Sequence, residues 1–272
     1  MPIAKRLGLF GLLAVGLFLV GCQGGGAKNM YDMAIRQWEE GKYDESVQNL
    51  IALTKAYPED DLVDDSIFWI ANIYEHYLKN PTQAIRYYRS LTKSFESSEY
   101  YHPGMRGLAR TYSAQDKEGK RKAILIYNKL QERKLPLKEN EEIQWELAQL
   151  YFDFAQYEQS RVELKKLITS SPESSLSPKA YHLIGYSYYL EGKSDLAELT
   201  YKETDRKYNF TRSSLDSALS LADIYEDQDR LSEAIRVYNT ILARLEPKEI
   251  FHQLASNRVN QLRTRLKQTN KG

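Results

Sequence analysis

The chain has 272 residues, with 38 Lys+Arg against 37 Asp+Glu, so no global field draws it to nucleic acid or to an acidic substrate. It carries 21 Tyr, 8 Phe and 3 Trp but only 8 Pro and 14 Gly, a balance that suits helices meeting through aromatic rings. The single Cys excludes an internal disulfide.

At the N-terminus Lys5 and Arg6 precede an uncharged apolar run, Leu7–Val20. The run is short for a bilayer span and right for a secretory h-region. It ends in Leu19-Val20-Gly21-Cys22, which resembles the bacterial lipobox. The resemblance implies a signal peptide over residues 1–21 and a diacylglycerol on Cys22, with further acylation giving stable anchoring. The alternatives are an uncleaved anchor helix or an ordinary signal peptide. Gln23 stands where Asp would favour inner-membrane retention, so the resemblance implies the outer membrane, with the protein facing the periplasm. Residues 22–29, with Gly24-Gly25-Gly26, read as the lipidated Cys and a flexible tether.

From Met30 a repeat takes over. A small residue opens the second helix of each copy at Ser46, Ala84, Ala123, Ser160, Ala197 and Ala234, with spacings of 38, 39, 37, 37 and 37. Four residues on stand Leu50, Tyr88, Tyr127, Leu164, Tyr201 and Tyr238. First helices carry small residues at Ala34, Ala71, Ala109, Ala148, Gly185 and Ala222, followed by Trp38, Tyr74, Tyr112, Tyr151, Tyr188 and Tyr225. Apolar residues at three- and four-residue spacing predict amphipathic helices. Small residues at fixed places let two helices cross at close range. The copies predicted are 30–58, 65–97, 103–136, 141–172, 178–209 and 213–247, with extra residues placed in links and in turns such as Asp116–Lys120. Pro247 reads as the stop of the last second helix. Residues 248–272 form a capping helix with an apolar stripe of Ile250, Leu254, Leu262 and Leu266, and a basic tail of six Lys/Arg against one Glu. That tail reads as a soluble cap, with docking to acidic groups as the alternative.

This pattern resembles the tetratricopeptide repeat, although its period exceeds the usual 34 residues. The resemblance implies an all-α, right-handed α-solenoid of about six helix hairpins plus a C-terminal capping helix. Longer copies on a lipid anchor resemble envelope lipoproteins of the BamD-like and Tol-Pal coordinator (YbgF-like) families. They imply a protein-interaction scaffold in outer-membrane protein assembly, with a pilotin or a Tol-Pal or cell-wall coordinator as the alternative. The partners expected are other envelope proteins or extended peptides, and the membrane through Cys22.

Catalytic chemistry is not expected, nor a cofactor, nor nucleic-acid binding. His76, His102, His182 and His252 are scattered without metal-ligand spacing, and no phosphate loop or nucleophile elbow occurs. An enzyme built from solenoid residues is the reading of another class. Asp60, Asp61, Asp64 and Asp65 read as N-terminal helix charge, with cation binding as the alternative. Binding is expected on the face of the first helices, at positions three before, one after and four after each small residue. The aromatic positions of that set give a protein-binding groove of Phe68, Trp145, Phe152, His182, Tyr186 and Tyr189. For several of these, packing between repeats is the competing reading. In the last copy the same positions are Leu219, Asp223 and Glu226, an acidic surface.

Overall fold

The computed structural model describes residues 23–269. Thirteen helices and no strand occur among them. Six hairpins run in order: α1 (Gln23–Glu39) with α2 (Tyr43–Ala56), α3 (Leu62–His76) with α4 (Pro81–Ser94), and α5 (Tyr101–Ser113) with α6 (Lys117–Gln131). Then follow α7 (Leu137–Asp153) with α8 (Tyr157–Ser170), α9 (Ser177–Leu190) with α10 (Ser194–Lys207), and α11 (Arg212–Asp227) with α12 (Leu231–Leu242). A thirteenth helix, α13 (Ile250–Thr269), closes the chain. The fold is an all-α repeat. The chain divides into two compact units, Met1–Tyr101 and His102–Gly272. The predicted signal peptide and Cys22 lie outside the described residues. Among the described residues no helix is long and apolar enough to cross a membrane.

The small residues sit where the periodicity places them. Ala34, Ala71, Ala109, Ala148 and Ala222 are fully buried, as are Ser46, Ala84, Ala123, Ser160, Ala197 and Ala234. Gly185 shows why size matters there: a Cβ would lie 2.5 Å from a ring carbon of Tyr201. The tyrosines four residues after the second-helix markers fill the core, and three of them, Tyr88, Tyr127 and Tyr238, pair their hydroxyls with carboxylates, while the Tyr201 hydroxyl has no partner among the described residues. Tyr88 donates to Glu75 at 2.8 Å and Tyr238 to Glu226 at 3.1 Å, while Tyr127 donates to Glu146. A buried ring thus delivers its polar tip to a carboxylate on the first helix of its own copy or the next.

Five of the six turns inside hairpins share one device. Gly41, Lys79, Ala155, Gly192 and Asp229 each stand five residues before a second-helix marker with φ of 77°, 51°, 55°, 72° and 58°. At Ala155 the backbone N–H bonds Phe152 O at 2.8 Å and the next N–H, of Gln156, bonds Tyr151 O at 2.9 Å. This is the Schellman closure, which needs a left-handed residue just past the helix end. The same pair of bonds recurs at Gly41, Gly192 and Asp229.

Four expectations are corrected. The tether at residues 22–29 is not loose from Gln23 onward: it starts α1, and Ala27 is fully buried against Leu53 and Val63. Gly26 packs so closely on Tyr57 that a Cβ would strike the phenol oxygen, and this packing holds a Gly-rich segment helical. The supposed turn Asp116–Lys120 is the first turn of α6, where the Asp116 carboxylate accepts the Gly119 N–H at 2.8 Å. Pro247 does not stop α12, which ends at Leu242. On α13 the buried face is Ala255, Val259 and Leu262, while Ile250 and Leu254 are exposed. Of the expected stripe, Leu262 is buried and Leu266 packs beside it, while its N-terminal members, Ile250 and Leu254, turn outward.

Candidate functional site

First helices of successive hairpins touch each other as well as their own partners, as α9 and α11 do. Side chains from α7, α9 and α11 therefore share one face in the second unit. On it the Phe152 ring of α7 stacks on Tyr186 of α9, centroids 5.7 Å apart and planes 23° from parallel. Tyr186 stacks in turn toward Tyr189, one helical turn on, at 6.5 Å and 19°. Tyr189 donates its hydroxyl to Asp227 of α11 at 2.7 Å. The result is a strip of three rings ending in a carboxylate, with Tyr186 39% exposed. The hydrogen bond to Asp227, then burial and the nearby carboxylates, raise the Tyr189 phenol above its ordinary range.

The remaining predicted groove residues go elsewhere. Trp145 packs against the buried cluster of Ala148, Leu164, Ala180 and Ile184. His182 is half-buried, with its Nδ1 3.1 Å from the Ser217 hydroxyl and its ring beside Tyr201. Burial lowers its pKa and Asp216 partly offsets this. Phe68 belongs to the first unit, where it stacks on Tyr100 with centroids 4.7 Å apart. The structure thus brings Phe152, Tyr186 and Tyr189 together, and gives Trp145 and His182 packing contacts.

Sequence reasoning missed Asp227, which falls outside the offsets used for inward positions. It also took Glu226 for surface. That carboxylate is buried, accepts from Tyr238 and is paired with Arg258 of α13. Asp223 stays exposed as a residue, yet partial desolvation of its carboxyl, then Glu226 and Asp227, raise it against the pull of Arg258.

Arginine stacked on tyrosine was missed as well. Arg161 of α8 lies over the Tyr188 ring at 4.3 Å, donates to the Ser187 hydroxyl at 3.0 Å and pairs with Glu191 at 2.8 Å. Arg230 lies over Tyr225 at 4.2 Å and pairs with Glu198 at 2.8 Å. Burial alone would raise the Glu198 carboxyl, but Lys202, Arg230 and the Tyr225 hydroxyl outweigh it and hold it at about 2. Both clusters knit neighbouring helices.

A concavity of about 430 Å³ opens between α8, α9 and α10, lined by Ile168, Ile184, Tyr188, Leu196 and Leu199. No group of three or more His, Cys, Asp or Glu able to hold a metal occurs among the described residues. The acidic run from Asp60 to Asp65 straddles the start of α3, where Asp60 accepts the Leu62 N–H at 3.0 Å.

Residues 65–98, the second hairpin and its link, match the tetratricopeptide repeat family. Most of the chain is similar in fold to solved repeat proteins. The chain has the tetratricopeptide-repeat fold. A tetratricopeptide repeat protein from Parabacteroides merdae is similar at TM-score 0.61 and 15% identity, over 91% of this chain and 88% of that one. PilW, described as a widely conserved type IV pilus biogenesis factor, is similar at 0.55 and 14%, over 86% and 99%. PilF of Pseudomonas aeruginosa gives 0.54 and 14%, over 86% and 97%. No curated protein matches the chain significantly in sequence. Tetratricopeptide-repeat scaffolds bind peptides or other proteins, and the aromatic strip lies on the first-helix layer of this one.

Proposed function

We propose that the chain is a lipid-anchored scaffold of the bacterial cell envelope, non-enzymatic, that holds a partner protein by an extended segment laid along Phe152, Tyr186 and Tyr189. The observation that carries this is the strip itself: three rings in register from two consecutive hairpins, with Tyr186 left in solvent. Exposed aromatic anchors with polar tips are what peptide grooves use for affinity. The lipobox-like Leu19–Cys22 supports the anchor, and Gln23 after it supports the outer-membrane location. Outer-membrane protein assembly is the pathway favoured by the resemblance to BamD-like lipoproteins.

The second reading is a pilotin-type role, favoured by the similarity to PilW and PilF over nearly the full length of both. A Tol-Pal or cell-wall coordinator is the remaining envelope role.

Affinity capture of the lipidated protein from its native membrane separates these readings by the partner retained. The double variant Phe152→Ala/Tyr186→Ala is expected to keep full helicity by circular dichroism and to lose that partner. Undiminished capture would retire the strip as the binding surface. Mass spectrometry of the N-terminal peptide should find acyl chains on Cys22, and an unmodified thiol would remove the anchor.

A further inference from the structure

The strip ends in two carboxylates that make no ion pair among the described residues. α11 carries Asp223, Glu226, Asp227 and Asp229 in its last turns and the residues just beyond. Two of the four are matched from α13: Arg258 pairs with Glu226, and Arg265 with Asp229 at 2.8 Å. Asp227 receives only the uncharged Tyr189 hydroxyl, and Asp223 makes no ion pair among the described residues. Both are exposed and border the Tyr189 end of the strip. Although the residue is exposed, partial desolvation of its carboxyl, then Glu226 and Asp227, disfavour the charge on Asp223, and Arg258 only partly offsets them. A cation placed there would relieve that repulsion.

The second unit also shows which cation suits such a place. Arg230 lies over Tyr225 while pairing with Glu198, and Arg161 lies over Tyr188 while pairing with Glu191. In each, one guanidinium covers a tyrosine face and reaches a carboxylate beside it. The strip repeats this arrangement, with tyrosine rings and adjacent carboxylates, and lacks only the guanidinium. A planar, delocalised group can stack on a ring and fork to two oxygens, whereas an ammonium is a compact and strongly hydrated charge.

We infer that the strip recognises an extended partner segment through an arginine, whose guanidinium stacks on Tyr186 and Tyr189 and is paired by Asp223 and Asp227. The inference rests on the strip being the peptide site, and it adds the sign and type of the side chain bound. Charge complementarity is what selects this occupant: an acidic segment would meet the same two carboxylates as repulsion.

The test uses the full chain and three labelled extended peptides. They are identical except that their two charged positions carry Arg, Lys or Glu, each beside a Phe. Fluorescence anisotropy should rank them Arg, Lys, Glu, with Arg tighter than Glu by at least about a hundredfold and tighter than Lys by about tenfold. Asp223→Asn/Asp227→Asn removes charge at exposed positions with little change of shape. It should weaken the Arg peptide by about tenfold or more and leave the Glu peptide no weaker. Phe152→Ala/Tyr186→Ala should weaken all three. Equal binding of the Arg and Glu peptides, binding of none, or an Arg preference that survives the double Asn variant overturns the inference. If the Asn variant has no effect while the ring variant abolishes binding, the arginine assignment fails and the groove stands. If the ring variant has no effect on peptides that do bind, the groove itself fails.

Discussion

Serine at the two markers where alanine is usual has opposite consequences in the two places. Ser46 donates its hydroxyl to Ala34 O at 2.7 Å, across to the small residue of the first helix. Ser160, equally buried, has no hydrogen-bond partner among the described residues. A buried hydroxyl without a partner costs about 1–3 kcal/mol, while a made bond contributes about 1 kcal/mol. Ser46→Ala should therefore lower stability by about 1 kcal/mol, and Ser160→Ala should raise it by a similar amount. Denaturant midpoints of the two variants, moving in opposite directions, are the check. Asp65 offers a pH counterpart. Burial, then Asp64 and Glu99, push its carboxyl from 3.8 to about 6 in the fold. A raised carboxyl means the unfolded chain releases its proton first as pH rises. Ionised Asp65 therefore weighs against the fold above about pH 6 and no longer does so below 3.8. Asp65→Asn should melt higher than the parent at pH 7, with the gap closing as pH falls through that window. A gap independent of pH would show the carboxyl to be solvated.

At the scale of the element, the hairpin turns are the most regular feature and the least visible beforehand. Five turns use a left-handed residue at the same offset, but only Gly41 and Gly192 announce it by type. Ala155 holds φ 55° with a Cβ, which costs about 1–2 kcal/mol relative to glycine before glycine's own entropy is subtracted. Ala155→Gly should then stabilise the second unit by about 0.5–1 kcal/mol, read as a higher melting temperature. Loss of stability would mean that the Ala155 methyl makes contacts worth more than the strain. The hairpins themselves were legible, because small–aromatic spacing reports helix crossings directly. Helix ends were not: the first turn of α6 depends on the Asp116 side chain, and the start of α1 on Tyr57 lying over Gly26. The first is a local cap that sequence reasoning could have found. The second is a contact between residues far apart in sequence, which no local pattern contains.

On the whole-molecule scale, α13 does more than cover an end. It buries Ala255, Val259 and Leu262 against the core that includes Leu221, Tyr225 and Tyr238, and its Arg258 neutralises Glu226 inside. Burial of Val259 and Leu262 alone is worth about 1.5–3 kcal/mol each. Deleting residues 250–272 should lower the stability of the second unit by several kcal/mol and expose Tyr238 and Ile241, measurable as early unfolding and dye binding. Retention of the parental melting curve would show α13 to be dispensable. Its arginines also decide which carboxylates of α11 remain open to a partner, so the cap and the candidate site are coupled.

The sequence by itself determined the repeat, its period, the number of hairpins and the identity of the close-packed small residues. Those depend on spacing along a helix, and spacing is a property of the chain. It also set which first-helix positions share one face, because position on a helix sets the direction of a side chain. Only the tertiary structure decided which aromatics on that face pack and which remain open. Trp145 and Tyr186 belong to the same offset pattern, yet one packs against the cluster of Leu164 and Ala180 and the other stacks on Phe152 in solvent. The pairing of Tyr189 with Asp227, and the removal of Glu226 from the surface by Arg258, join residues 38 and 32 positions apart. Such choices arise from how successive hairpins sit on one another, where burial and charge pairing are settled between helices rather than within them.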